Sequence, residues 1–227
     1  MTIDRKSLIN WVGGKRLLRK VIEPLVPTDI KSYIEPFGGG AWVLFYKEKW
    51  ADLEVYNDLD GRLVNLFRIV KYHPNAFKEE IKYLLGSREM FLQFLNGTFI
   101  TDIQRAVQFY FLITRSFGGR GETFGTVKRS CGGASKSQKN VLEKIDAIHN
   151  RLDKVMVENR DFEKLITQYD LKSKDGNIIK RLKLCVLKSN CNNFVRIVTI
   201  SRKILKFSLK NADKTCNTIE IVLHVQI

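Results

Sequence analysis

Short apolar runs alternate with helical patterns over the first part of the chain. Residues 32–34 and 53–56 are runs of the kind that form buried strands. A glycine turn after the first strand leads into a helix beginning over residues 41–47, and the second strand leads into a helix over residues 61–72. The apolar residues of this second helix fall on one face, and they are Leu63, Leu66, Phe67 and Val70. Strand, turn and helix repeated in this order predict a parallel α/β sheet.

A glycine pair near the N-terminus is predicted to turn the chain into a further helix. Gly13 and Gly14 form the turn, and the helical pattern continues towards residue 26. Its apolar residues have the spacing of one helix face, and they are Leu17, Leu18, Val21 and Ile22. The sequence therefore predicts an amphipathic helix in this segment.

The middle of the chain is predicted to be helical. The helical pattern extends throughout residues 75–117, with Thr101 or Asp102 as an N-cap within it. A glycine-rich loop that contains an arginine follows over residues 117–125. The α/β pattern then resumes with a helix capped by Ser137, a strand at 155–157 and a turn into a helix over 159–168. The helical stretch therefore interrupts the α/β pattern.

The character of the sequence changes from about Leu171. The remaining residues hold three of the four cysteines, one glycine and no proline. Runs at 194–200 and 219–225 predict strands, but the glycine and proline that usually mark loops are almost missing. We therefore expect the C-terminal part to be atypical.

Length and composition favour a globular intracellular protein. The chain has 227 residues, enough for one α/β domain with an insertion, and 44% of them are hydrophobic. It has no apolar run of 18 residues, and its first residues do not resemble a signal peptide. These features predict no membrane span and a cytoplasmic location.

Cysteine and histidine spacing does not indicate a metal site. The four cysteines form no CxxC pair, so neither a zinc site nor a disulfide framework is predicted. The histidines lack ligand-like spacing, and they are His73, His149 and His224. Cys131 has no evident base partner in the sequence, which argues against a cysteine nucleophile.

The net charge of +15 favours an anionic partner, of which nucleic acid is the first candidate. The excess is uneven, since residues 171–227 contain 12 Lys and Arg against 3 Asp and Glu, a net of +9. If that segment is anomalous, the charge argument for DNA weakens. A basic protein without a nucleic-acid partner, or an RNA-binding protein, remains an alternative on charge alone.

The first strand ends in a turn that suits a cofactor. Glu35 and Pro36 are followed by Phe37 and three glycines, and bare backbone of this kind lets a ligand approach closely. Asp58 lies 20 positions beyond Gly38, at the end of the next predicted strand. An acid in that place accepts hydrogen bonds from both hydroxyls of a ribose. The alternative role for Asp58 is a helix N-cap.

Two residues of the N-terminal turn are further candidates. Trp11 is placed to cover an aromatic or sulfonium group, and Lys15 to pair with a ligand carboxylate. A core position is the alternative for Trp11. Charge and composition do not explain why Trp11, Lys15, Glu35 and Asp58 occur in this order.

Five motifs follow one another along the chain. They are W-V-G-G-K at 11–15, I-E-P-F-G-G-G-A-W-V-L-F at 34–45, Y-N-D-L-D-G-R-L-V-N-L at 56–66, A-V-Q-F-Y-F-L-I-T-R-S-F-G-G at 106–119 and V-E-N-R-D-F-E-K-L-I at 157–166. Together these motifs resemble the Dam-type adenine-specific DNA methyltransferases. The similarity spans about residues 7–170. It implies a Rossmann-like S-adenosylmethionine-dependent methyltransferase fold with a helical DNA-recognition insertion.

The resemblance also implies roles for individual residues. Those expected to bind S-adenosylmethionine are Trp11, Lys15, Glu35, Phe37, Gly38, Gly40 and Asp58, with Asp58 on the ribose. Those expected to contact double-stranded DNA are Arg115, Arg120, Lys128 and Arg129, for each of which a solvated surface charge is the alternative. Members of the family flip the target adenine out of the duplex.

The resemblance divides the chain into four parts. The expected parts are 1–74 as the cofactor-binding part of the α/β domain, 75–135 as the helical insertion, 136–170 as the return to the α/β domain, and 171–227 as an atypical basic tail. We expect a monomer. The target DNA sequence and the choice between a restriction-modification and a maintenance role stay open.

One motif of the family is missing from the sequence. In the family, the Asp and the first Pro carbonyl of D-P-P-Y accept the protons of the adenine amine, and the Tyr stacks on the flipped base. The last proline here is Pro74, so no form of this motif occurs in the 227 residues. No catalytic residue is therefore assigned, and we expect impaired catalysis.

Two explanations for the atypical C-terminal segment stay open. The segment comes either from a shifted reading frame or a gene interrupted near residue 170, or it is a genuine, diverged C-terminal half. Two functional alternatives to an active enzyme also follow. One is a non-catalytic remnant that binds S-adenosylmethionine or DNA, and the other is half of a split methyltransferase complemented by a second chain with D-P-P-Y.

Overall fold

The computed structural model describes residues 7–125, 138–169, 181–188, 204–208 and 219–226, with side chains described over 7–125 and 140–169. The helices are α1 (Arg19–Ile22), α2 (Gly61–Tyr72), α3 (Pro74–Lys82), α4 (Arg88–Asn96), α5 (Asp102–Arg115), α6 (Gln138–Arg151) and α7 (Phe162–Tyr169). The strands are β1 (Ser32–Glu35), β2 (Leu53–Asn57), β3 (Val155–Glu158), β4 (Arg181–Lys188), β5 (Ile204–Ser208) and β6 (Ile219–Gln226).

The described strands form one mixed sheet in the order β3-β2-β1-β4-β6-β5. β1 pairs in parallel with β2 and with β4, and β2 pairs in parallel with β3. β6 pairs antiparallel with both β4 and β5. The strands predicted at 32–34, 53–56, 155–157 and 219–225 are confirmed, while 194–200 lies outside the described residues.

The neighbouring strands β1 and β2 are buried on both faces, as is typical of parallel sheets covered by helices. All four residues of β1 are buried. On one face Tyr33 and Tyr56 join the main hydrophobic core with residues of α2. On the other face Ile34 and Val55 pack with Leu165 of α7. The strands that end at the predicted site are therefore fixed by packing on both faces of the sheet.

The helix predicted over 61–72 is confirmed, and the helical stretch predicted over 75–117 is divided into three helices. That stretch consists of α3, α4 and α5, because Ser87 and Thr101 each begin a new helix with a side-chain cap. Thr101 forms a capping box with Gln104, so of the two residues predicted as N-cap it is Thr101 that serves. The predicted cap Ser137 lies outside the described residues.

The helix predicted from residue 41 is wrong, since only a 3₁₀ turn forms at Leu44–Tyr46. The carbonyls that a longer helix would use are bonded to side chains. Trp50 Nε1 donates to the carbonyls of Val43 and Leu44, and the buried guanidinium of Arg151 donates to those of Leu44 and Lys47. The same guanidinium pairs with Glu54, whose nearest oxygen lies 2.7 Å away.

The predicted N-terminal helix is reduced to α1, and its buried face differs from the prediction. Leu17 is 86% exposed and Val21 is 40% exposed, whereas Ile22 is fully buried. The reason is Lys15, which is 6% exposed and points inward. Lys15, Leu18 and Ile22 have the spacing of one helix face, which turns Leu17 and Val21 towards solvent.

Within the part of the chain that the structure describes, the helices are too short or too polar to cross a membrane.

The glycine turn after β1 is shaped by the end of β2. An added Cβ at Gly38 would lie 2.1 Å from Cε2 of Tyr56. The Tyr56 ring cannot retreat easily, because it packs edge-on against Phe67 and its hydroxyl donates to the carbonyl of Gly39 at 2.7 Å. Burial, together with the nearby carboxylates, raises the pKa of Tyr56 well above its usual value, so this donor stays protonated.

Substituting Gly38 by alanine is therefore expected to destabilise the protein. We expect Gly38→Ala to lower the free energy of unfolding by about 1–3 kcal/mol, the usual result of overpacking a core. Gly61→Ala is the control, since its Cβ would lie 3.5 Å from the nearest atom, Asn159 Oδ1. That control should leave stability unchanged or raise it by up to about 1 kcal/mol. Urea unfolding measures both, and equal effects would contradict the packing explanation.

Candidate functional site

The carboxyl ends of three parallel strands meet at one edge of the sheet. In the register, Glu35 of β1 lies beside Tyr56 of β2, and Asn57 lies beside Glu158 of β3. The turns that follow these strands therefore come together. In open α/β sheets, this edge is where ligands bind.

A buried ion pair lies beneath the first turn. Lys15 Nζ is 2.9 Å from Glu35 Oε1 and also donates to the carbonyl of Phe37. The Tyr33 hydroxyl donates to Glu35 Oε2 at 3.2 Å, and burial together with this carboxylate raises the pKa of Tyr33. An ammonium group has three N–H donors, and these contacts use two of them. That Lys15 pairs with a ligand carboxylate stays a prediction.

Trp11 covers the glycine turn. Its ring lies against Gly39, where an added Cβ would be 3.0 Å from Trp11 Cδ1, and its Cβ lies against Gly40. On its other side the ring packs against Phe109 of α5, with the centroids 5.7 Å apart. Trp11 therefore joins the turn to the helical stretch, and it is half-buried rather than enclosed in the core.

Asp58 holds the glycine turn from the end of β2. Its Oδ2 accepts a hydrogen bond from Gly39 N at 2.8 Å, and its Oδ1 accepts one from Asp60 N at 2.9 Å. The N-cap of α2 is Asp60, whose side chain accepts from Arg62 N, so the N-cap alternative for Asp58 is wrong. Asp58 is half-buried, and each of its oxygens keeps a lone pair for a further donor.

Two site features escaped the sequence analysis. Phe162, the first residue of α7, packs against the predicted residue Phe37 with ring centroids 5.3 Å apart. Asn57 is 1% exposed and hydrogen-bonds to the main chain of Pro36 and of Arg160. Phe162 follows the end of β3, and position after a strand end was the reason for predicting Asp58, so the same reasoning could have identified Phe162. No pattern in the sequence marks Asn57 as a site residue.

One of the predicted DNA contacts, Arg120, lies on a loop beside the N-terminal turn. This loop, 116–125, is closed by backbone hydrogen bonds from Phe117 to Thr123 and from Gly125 to Arg115. It packs on the N-terminal segment at Gly119, where an added Cβ would lie 2.4 Å from the carbonyl oxygen of Asn10. The side chain of Phe117 is 67% exposed.

The two predicted arginines, Arg115 at the end of α5 and Arg120 on this loop, differ in their surroundings. Arg120 is exposed, whereas the half-buried guanidinium of Arg115 lies against Gly86. Lys128 and Arg129 lie outside the described residues. The loop therefore places one exposed arginine close to the turn that holds Trp11.

The edge thus combines three kinds of group. They are an acidic acceptor in Asp58, a buried ammonium–carboxylate pair in Lys15 and Glu35, and aromatic faces at Trp11 and Phe37. This set suits a ligand that carries hydroxyl groups and charge.

Known proteins with similar sequences are DNA methyltransferases. The chain is 29% identical over 134 residues to the type II methyltransferase M.MjaIII of Methanocaldococcus jannaschii, covering 56% of this chain and 43% of that protein. It is 28% identical over 115 residues to the type II methyltransferase M.CviBI of Paramecium bursaria Chlorella virus NC1A, covering 50% of this chain and 44% of that protein. It is 25% identical over 122 residues to the DNA adenine methylase of Haemophilus influenzae, covering 54% of this chain and 37% of that protein.

These matches span less than half the length of the relatives. The family described as D12 class N6 adenine-specific DNA methyltransferase matches residues 11–175, which include Trp11 and all three turns at the sheet edge. Because this match covers more than half of the 227 residues, the chain belongs to the D12 class N6 adenine-specific DNA methyltransferase family.

Proposed function

We propose that the carboxyl edge of the parallel strands binds S-adenosylmethionine, as part of a site-specific adenine DNA methyltransferase. Membership of the family implies this methyl donor. The observation that carries the proposal is the position of the Asp58 carboxylate. It bonds the glycine turn at Gly39 and retains acceptor capacity beside it.

The residues at the edge fit the parts of this cofactor. Asp58 would accept hydrogen bonds from the ribose hydroxyls. The methionine end carries a carboxylate and an ammonium group, and Lys15 and Glu35 carry the charges opposite to these. The half-buried ring of Trp11 would face the sulfonium, since a cation is attracted to an indole face. The cofactor supplies the methyl group, and these residues bind and orient it.

We infer further that the chain has a Rossmann-like cofactor part and a DNA-recognition insertion. The helices α3, α4 and α5 lie in the sequence between α2 and the return to the sheet at β3, which supports the predicted insertion at 75–135. Arg120 is exposed on the loop after α5. Its proposed role is to contact the phosphates of a duplex from which the target adenine is flipped.

The missing motif limits what this chain does to that adenine. The exocyclic amine is a poor nucleophile, because its lone pair is delocalised into the ring. In the family, D-P-P-Y accepts the amine protons and so directs the lone pair at the methyl group. The 227 residues have no proline after Pro74 and so lack this motif. We therefore propose that this chain binds the cofactor and transfers methyl groups poorly.

The cofactor proposal predicts a loss of affinity on changing Asp58. By calorimetry, the unaltered chain should bind S-adenosylmethionine at micromolar concentration, and Asp58→Ala should weaken binding at least about tenfold. Asp52→Ala is the matched control, because this aspartate flanks the other end of β2 and forms an exposed pair with Lys49 at 2.7 Å. Its affinity should match that of the unaltered chain.

The outcomes separate two explanations for the poor methyl transfer that we propose. Binding that is lost only in Asp58→Ala would place the defect in catalysis rather than in the cofactor site. No binding by the unaltered chain would contradict the proposal and favour a remnant without a working site.

The absent motif predicts slow methyl transfer. With radiolabelled S-adenosylmethionine and duplex DNA, the rate should be at least about 10²-fold below that of a D12-family enzyme with an intact motif, because positioned acceptor groups contribute about that much. Equal rates would show that other residues replace the motif. Recovery on adding a polypeptide that carries D-P-P-Y would support a split enzyme.

The insertion proposal predicts that Arg120 contributes to DNA binding. Arg120→Ala should weaken duplex binding and lower the slope of log affinity against log salt by about one, the effect of losing one phosphate contact. Lys49→Ala is the control, since Lys49 is exposed just before the amino end of β2. Fluorescence anisotropy over a salt series measures both, and equal slopes for the two variants would contradict the role of Arg120.

A further inference from the structure

We propose that Asn57 is a positioning residue that fixes the turns of the cofactor site before the ligand binds. This inference rests on the proposed function of the edge. Asn57 is the last residue of β2 and is 1% exposed, so it does not present a surface to a ligand. Its effect would be exerted through the turns on either side of it.

The side-chain amide of Asn57 bonds two of these turns at once. Nδ2 donates to the carbonyl of Pro36 at 2.9 Å and to the carbonyl of Arg160 at 2.9 Å. Oδ1 accepts from Arg160 N at 2.9 Å. The backbone carbonyl of Asn57 accepts from Gly38 N at 2.8 Å. One residue of β2 therefore joins the turn after β1 to the turn after β3.

Asparagine is chemically specific for this position. The site requires two donors and one acceptor on a single planar group, which a carboxamide provides and a carboxylate or an aliphatic group does not. Arg160 has both its N–H and its C=O bonded by this amide, as a neighbouring strand would bond them. Without the Asn57 amide, the main-chain groups of Pro36 and Arg160 would lose these hydrogen bonds, and an unpaired buried polar group is unfavourable.

These bonds continue into the proposed ligand contacts. Asp58, the next residue, accepts from Gly39 N of the first turn. Asn159 of the third turn donates to the backbone carbonyl of Asp58 at 2.7 Å. Asp58 is thus held by bonds to both neighbouring turns, through its carboxylate to the first turn and through its backbone carbonyl to the third. A preorganised site of this kind loses less conformational entropy when a ligand binds, and its affinity for the ligand is correspondingly higher.

The test compares two truncations on the same strand. Asn57→Ala should weaken S-adenosylmethionine binding at least about tenfold in calorimetry at a temperature where urea titration shows the variant folded. Val55→Ala is the matched control, because Val55 is fully buried against Ile34 and Leu165 and has no part in the turns. It should lower the unfolding midpoint and leave affinity within about twofold, since truncating a buried valine removes only packing.

A double mutant separates positioning from a general loss of stability. If Asn57 acts through Asp58, then Asn57→Ala combined with Asp58→Ala should lose less affinity than the two single changes predict together. Additive losses would contradict that route, and unchanged affinity in folded Asn57→Ala would overturn the inference. If Asn57→Ala does not fold, Asn57→Ser, which keeps one donor, replaces it in the same comparison.

The failure of this inference is distinguishable from the failure of the proposed function. If the unaltered chain does not bind S-adenosylmethionine, the proposed function fails. If the unaltered chain binds and folded Asn57→Ala binds equally well, only the role of Asn57 is wrong.

Discussion

The glycine-rich turn after β1 depends on three consecutive residues at the end of β2. Tyr56 donates its hydroxyl to Gly39, Asn57 bonds Pro36 and Gly38, and Asp58 accepts from Gly39. Buried backbone groups in a turn need partners, and a turn rich in glycine has few side chains of its own to supply them. The strand beside it therefore determines the shape of the turn. Parallel pairing of β1 and β2 is what brings the two together.

The ion pair of Lys15 and Glu35 adds the N-terminal segment to the same arrangement. Both side chains are almost fully buried, at 7% and 0% exposure. Removing either partner from such a pair leaves a buried charge, which is strongly unfavourable. The segment that carries Trp11 is consequently anchored under the turn that Trp11 covers. The same contact explains why Lys15 points inward and Leu17 outward in the segment that leads into α1.

The sequence was informative where a single local pattern decides the structure. The strands β1 and β2 and the helix α2 follow from apolar periodicity, and so does the position of Asp58 directly after β2. The patterns were misleading where distant residues intervene. Residues 41–47 have a helical pattern, but side chains of Trp50 and Arg151 bond the carbonyls that a longer helix requires.

Asn57 illustrates the same limit within the site. Its partner Arg160 is 103 residues away in sequence, so no local pattern marks the pair. Lys15 was predicted as a site residue, but its buried partner Glu35 became clear only from the packing. Residue types at strand ends can be interpreted from sequence, whereas the bonds between the turns depend on the assembled sheet.

The register of β4 bears on the missing chemistry. β4 lies parallel to β1 on the side away from β2, with Ser32 beside Arg181 and Ile34 beside Lys183. The next residues of β4 are Leu184, Cys185 and Val186, and the strand continues to Lys188 while pairing with β6. In a parallel sheet, residues at this level lie next to the turn that follows β1. In this register β4 continues as a strand past that level. In the described part of the chain, the turns after β1, β2 and β3 are bonded to one another, whereas β4 contains neither aspartate nor proline. If the sheet edge binds S-adenosylmethionine as proposed, binding the cofactor and activating the adenine amine depend on different parts of the sheet.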